Sequence, residues 1–247
     1  MITPDGSLKI AVAGVHTHEL WIGPDDALYG EDVTNVGDNF RHRVWKRTSD
    51  GQISHKIDWR DGHPVDYNDY GFAFDKAGLM YVLNRNDKRI QIYNNPLTEK
   101  QHLERTLSFA DVEGFVHWHT VHQDGTVYIT VGNALIRFDS NSNDVITMAE
   151  GLIERTPAFD FLHDRHALMG LWTDEHKNVY VSIYAGQQVK RITPEGHTST
   201  VYTQSDEWSI AGGIVDLKGE TWLFEFSSGN KARVRHIDDN GEHYWGD

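Results

Sequence analysis

Histidine supplies 15 of the 247 residues, and five of them, His16, His18, His117, His119 and His166, gather at the beginnings of short apolar runs. Alternate residues of an extended strand share a face, so His16 with His18, and His117 with His119, can each present two imidazoles to one side. Imidazoles from separate segments suit Zn²⁺ or a similar ion, and a ring that titrates near neutral pH can move a proton. Asp32, Asn84 and Glu225 each lie three residues beyond a recurring aromatic anchor, and their hard oxygens suit Ca²⁺ or Mg²⁺. Glu19 and Glu31 are further acids nearby. The catalytic set is therefore read as His18, His117 and Tyr70, with Tyr70 orienting a substrate or donating to an oxyanion. The substrate-binding set is His16, His119, Arg43 and Met169. The metal set is Asp32, Asn84, Glu225 and His166, for a divalent ion, Ca or Zn. Arg41 and Arg85 are further anchors for an anionic group.

Each feature also has a plain structural reading. Histidine and tyrosine at such positions can be ordinary hydrogen-bonded groups. Asp and Asn at strand ends commonly cap the following turn. Exposed arginine usually solvates a face. His122, His176, His197 and His243 sit in or near turns and read as surface residues.

The elements that position these residues are repeats. "LYGED" (28–32), "MYVLN" (80–84), "VYITV" (127–131), "VYVSI" (179–183) and "TWLFE" (221–225) are β-rich runs anchored by Tyr29, Tyr81, Tyr128, Tyr180 and Trp222. The anchors are 52, 47, 52 and 42 residues apart. Four strands in roughly 40–50 residues is the period of a β-propeller blade. The run before each anchor starts at His18, Tyr70, His117, Met169 or Ala211, and Asp-Gly, Glu-Gly and Asn-Gly pairs mark hairpin turns later in most copies. A helix fits only within 97–113.

"MITPDGSLKIAVAG" at the start aligns with "RITPEGHTSTVYT" at 191–203, so residues 1–14 read as a half blade. The blades are expected at 15–60, 66–112, 114–150, 163–205 and 208–247. Five complete blades and a half suggest a six-bladed propeller without its leading strands, or five blades with residues 1–14 packed outside.

The formal charge of −14 argues against nucleic acid and anionic membrane partners, for which clustered Lys and Arg are expected. With 0 Cys, disulfides and thiolate metal sites are excluded. There is no phosphate-binding glycine loop opening a helix and no G-x-S-x-G elbow. A small-molecule ligand is the expected partner, with self-association if the ring of blades is incomplete.

"ITPDGSLKIAVAG", "RITPEG", "VYV" and the inner-strand pattern resemble the NHL-repeat and SMP-30/gluconolactonase-like six-bladed β-propellers, especially bacterial NHL-type proteins with no assigned reaction. That resemblance implies an all-β fold. It spans calcium- or zinc-dependent lactonases, a streptogramin lyase, a peptidyl-hydroxyglycine lyase and scaffolds without catalysis. The hydroxyglycine lyases hold their metal with histidines from separate blades. Here Met169 and Ala211 occupy two of the five register positions, so a third histidine must come from off register, as His166 would. The expected function is a metal-dependent hydrolase or lyase at a channel mouth, or else a non-catalytic binding scaffold.

Overall fold

Short alternating runs separated by Gly, Asn and Asp turns can bury one or both faces only as antiparallel sheets, and the chain does this repeatedly. The computed structural model describes residues 12–13, 15, 17–23, 25, 27–48, 50–59, 70–94, 102–139, 142–216, 218–229 and 231–246. They form five four-stranded sheets, each a meander in chain order. The first sheet is β1 (Thr17–Ile22), β2 (Leu28–Val36), β3 (Asn39–Arg47) and β4 (Ile53–Trp59). The second is β5 (Tyr70–Phe74), β6 (Met80–Asn84), β7 (Arg89–Asn94) and β8 (His102–Ser108). The third is β9 (Val116–Val121), β10 (Val127–Val131), β11 (Ala134–Phe138) and β12 (Val145–Glu150). The fourth is β13 (Leu168–Thr173), β14 (Val179–Ile183), β15 (Gln188–Ile192) and β16 (Thr198–Thr203). The fifth is β17 (Trp208–Val215), β18 (Thr221–Ser227), β19 (Ala232–Asp238) and β20 (Gly241–Gly246).

Two expectations are corrected. The blade number is five, not six, because each repeat closes its own four-stranded sheet and no sixth sheet forms among the described residues. The half blade expected at 1–14 lies outside them, except for Val12 and Ala13, which are not in a strand. The helix allowed within 97–113 is replaced by β8, which pairs with β7 from Arg89↔Ser108 to Asn94↔His102. Its alternation of Leu103, Arg105 and Leu107 has the period of a strand.

The chain divides into two compact units, Met1–Ala110 with two sheets and Asp111–Asp247 with three. In the first unit Tyr29, Val44, Tyr70, Phe72, Met80 and Val82 form a buried cluster between the sheets. In the second, Tyr128, Leu135, Leu168, Val179, Val181 and Ile183 form one cluster, and Trp172, Tyr180, Val189, Ile210 and Leu223 another. Each fully buried aliphatic or aromatic side chain contributes roughly 1.5–3 kcal/mol relative to exposure. The inner strands β13 and β17 approach closely at Gly170, where a Cβ would stand 2.5 Å from the Ala211 carbonyl oxygen.

The turn between the first two strands of a sheet repeats a side-chain device. Asp75 accepts from the Leu79 backbone N–H (2.9 Å) and the Tyr81 hydroxyl (3.0 Å). Asp174 accepts from the N–H groups of His176 and Asn178, the Asn178 side chain and the Tyr180 hydroxyl (3.0 Å). Asp216 accepts from the N–H groups of Lys218 and Glu220 and from the Trp222 indole (3.4 Å). Three of the five aromatic anchors that mark the repeat, Tyr81, Tyr180 and Trp222, are thus tied to their own turns.

Candidate functional site

In the second unit the starts of β9 and β13 bring two predicted histidines into one corner. His117, the second residue of β9, is buried, and its Nε2 lies 3.0 Å from the Gly132 carbonyl oxygen. Its Nδ1 lies 3.3 Å from the carbonyl oxygen of Arg165, which belongs to the 3₁₀ turn Asp164–His166 just before β13. Gly132 supplies its carbonyl from a left-handed conformation (φ 55°), and a Cβ on Gly114 would meet Gly132 Cα at 2.6 Å. This close approach admits only glycine at position 114. Phe115 meets the His117 ring edge-on at 5.3 Å. A neutral imidazole has one N–H, so it satisfies one of the two carbonyls, whereas the doubly protonated ring satisfies both.

His166 closes the same turn. The Arg165 Nε–H donates to its Nε2 at 3.0 Å. Burial, followed by the charge of Arg165 and the neighbouring His163, lowers its pKa below the ordinary histidine value. His119 is buried two residues along β9 from His117, and Met169 is half-buried in β13.

In the first unit the predicted residues sit among matched charges. Asp32 and Arg43, expected to bind a metal and a substrate, are opposite each other on β2 and β3 and form an ion pair. Glu31 and His42, both 0% exposed, form a second pair. Tyr70 lies edge-on to the His42 ring at 5.1 Å. Arg85 donates to the Tyr70 carbonyl oxygen and to Glu19 (2.9 Å), while the Phe72 N–H donates to the other oxygen of Glu19 (3.2 Å). Asn84 forms a local turn with Asp87, donating to its carboxylate at 3.1 Å and accepting from its N–H at 3.0 Å. Arg41 is half-buried in β3. His18 lies in β1, its side chain outside the described residues, as is all of His16.

Glu225, fully buried in β18, accepts from Arg233 Nε (2.6 Å) and Gln204 and pairs with Arg235 Nε at 3.0 Å. The Arg233 guanidinium lies over the rings of Trp208 (4.0 Å) and Tyr244 (4.7 Å). A divalent ion at Asp32 or Glu225 would have to displace a guanidinium that already neutralises the carboxylate. Among the described residues, no three His, Asp or Glu side chains come together as a metal ion requires. The described donors therefore do not fit a metal.

Sequence reasoning did not select His42, Arg233 or Arg235. The signal was available in strand register, since His42 and Arg43 must flank Glu31 and Asp32 once β2 pairs with β3, and Arg233 must oppose Glu225.

No family model matches the chain, and no curated protein matches it. Solved structures do. A catalytically inactive histidine-to-alanine variant of virginiamycin B lyase from Staphylococcus aureus, with quinupristin, matches with a TM-score of 0.60 at 17% identity, over 99% of this chain and 75% of that one. A candidate gluconolactonase matches with a TM-score of 0.60 at 14% identity, over 96% and 79%. An auxiliary nutrient binding protein from Bacteroides ovatus matches with a TM-score of 0.56 at 11% identity, over 86% and 57%. These likenesses define the class by fold: an all-β propeller, built here from five four-stranded blades. Its solved neighbours include a lyase and a lactonase-like protein.

Proposed function

We propose that this propeller acts on a small ester- or lactone-bearing molecule by proton-transfer chemistry of the lyase or lactonase kind, at the end of the second unit where β9 and β13 begin. The observation that carries the reading is the seat of His117, whose two ring nitrogens face two fixed backbone carbonyls. A ring held this way is oriented before substrate arrives, which removes part of the cost of positioning a proton donor. His117 would deliver its proton to the oxygen of the bond that breaks, while the adjacent carbon loses a proton to water in elimination or the acyl carbon takes up water in hydrolysis, and the Arg165 carbonyl would hold the ring as the proton leaves. His166, whose Nε2 accepts from Arg165 Nε–H, would donate to the substrate beside it through Nδ1–H. Two supports come from the neighbours: one is a lyase inactivated by loss of a histidine, and another is a candidate gluconolactonase. No step is assigned to a metal, because the described donors do not fit one.

The experiment is incubation of the full chain with quinupristin and with a set of simple lactones, read by mass spectrometry. Elimination opens a ring ester with no change in mass, and hydrolysis adds one water. Either product supports the proposal and names the branch. Absence of any product from the whole set contradicts it. A second reading, a binding propeller without turnover, is supported by the nutrient-binding neighbour and by the commitment of Asp32, Asn84 and Glu225 to protein partners. It predicts saturable binding of a ligand that is recovered unchanged.

A further inference from the structure

The turn aspartate is missing from two of the five sheets. Aligned on the turn, the sixth column of the repeat reads Gly23, Asp75, His122, Asp174 and Asp216. The backbone of the third sheet makes the same turn as its neighbours: His122 N–H donates to the Thr126 carbonyl at 2.9 Å, as Asp174 does to Asn178 and Asp216 to Glu220. Only the side chain differs. Where three turns carry an aspartate, the first sheet has Gly23 and the third has His122.

That imidazole has its own carboxylate. His122 Nδ1 lies 2.8 Å from Asp124 Oδ1, and its side chain is 9% exposed. Burial alone would raise the pKa of Asp124, but hydrogen bonds from Lys177, His122 and Thr126 outweigh it and hold the carboxyl well below the ordinary range. An ionised Asp124 accepts from Nδ1–H, which leaves the lone pair of the neutral ring on Nε2. His122 Nε2 is buried and has no hydrogen-bond partner. A buried, unsatisfied polar atom costs about 1–3 kcal/mol, so its persistence calls for a reason.

His122 lines a cavity of about 270 Å³ formed where the turns of the third, fourth and fifth sheets meet, all within the second unit. Asp174, Glu175 and Asp216 line it too, with Tyr180 and Val215 as its less polar wall. Among the described residues, none that lines it is Lys or Arg. His176 is the remaining titratable group there, and Lys177 beside it is bound to Asp124. The lining thus offers acceptors and negative charge and asks for a hydrogen-bond donor.

We propose that this cavity binds a small organic ammonium ion, whose N–H donates to His122 Nε2 while the carboxylates of Asp174, Glu175 and Asp216 supply the field and Tyr180 and Val215 cover its methylene groups. A metal ion is the poorer occupant. Asp174 and Asp216 already accept four and three hydrogen bonds, and direct coordination would strip the turns of them. An ammonium needs only their charge and one lone pair. The site is at the opposite end of β9 from His117 and does not depend on the activity proposed there.

The test is titration of the full chain with putrescine, with butanediol as its uncharged counterpart and ZnCl₂ as the metal probe, followed by calorimetry and by the side-chain ¹⁵N signals of histidine. Putrescine should bind saturably and move the His122 Nε2 signal, and butanediol should not bind. His122→Phe, which keeps a ring and removes both nitrogens, should weaken putrescine binding about tenfold or more. Equal binding by the variant overturns the proposal. So does binding of Zn²⁺ with no binding of putrescine, or putrescine binding that leaves the Nε2 signal in place. If His122→Phe does not fold, the ¹⁵N response of the unaltered protein decides.

Discussion

The two units treat their charged and titratable groups differently. In Met1–Ala110, acids meet bases inside the fold: Glu31 with His42, Asp32 with Arg43, and Glu19 with Arg85. In Asp111–Asp247, His117 meets backbone carbonyls and His122 keeps an uncommitted nitrogen. A charge matched by its opposite on a neighbouring strand joins those strands and serves the architecture. His117 is held by neutral carbonyls, whereas His122 pairs with Asp124 through Nδ1 and leaves Nε2 without a hydrogen-bond partner. Glu225, between Arg233 and Arg235, shows that the second unit also uses matched charge where strands need to be joined.

The largest effect expected from the matched side is at Glu31. Glu31→Ala removes the buried carboxylate paired with His42 and should lower stability by about 3–5 kcal/mol in denaturant unfolding. His42→Ala should cost nearly as much, and the double variant less than the sum. Additive losses would mean that the pair is not the architectural unit described. Next is Gly170→Ala, where a new Cβ is driven against the Ala211 carbonyl; a loss of about 1–3 kcal/mol should appear in thermal unfolding.

Two smaller effects read the second unit through pH. Asp124 has a lowered pKa in the fold, so its stabilising contribution is complete above the ordinary carboxylate range and is lost as pH falls through the lowered folded value. Asp124→Asn should therefore reduce stability at neutral pH and narrow the gap from the unaltered protein in acid. A constant gap would contradict the assignment. His166 works on a base: its folded pKa is lowered, so the unfolded chain takes the proton first and stability falls as pH drops below about 6.5. His166→Gln should flatten that slope slightly, and an NMR titration should place His166 below the free histidine value.

Much of this fold was legible because the anchors Tyr29, Tyr81, Tyr128, Tyr180 and Trp222 all fall in the second strand of a sheet, as the repeat requires. The blade number was not. Residues 1–14 resemble half a copy, and a local resemblance does not state whether a sheet closes around it. β8 escaped because a polar strand with few large apolar residues also satisfies a helical reading. At the site, identity was easier than circumstance. His117 was singled out by its place in the repeat, and it falls in β9, but its carbonyl partners come from Gly132 and Arg165, which no local pattern connects to it. Asp32 and Glu225 looked like metal ligands because their guanidinium partners lie on the neighbouring strand. His122 was read as a surface residue near a turn, and that reading is corrected: it is buried, because the folded turn sets its ring against Asp124.

The most direct measurement is the rate at which the full chain opens a ring ester, compared with His117→Gln under the same conditions. The account predicts a fall in kcat/KM of about 10²–10⁴ with the fold intact by circular dichroism, the loss typical of removing a positioned proton-transfer group. Equal rates in the two proteins would contradict it.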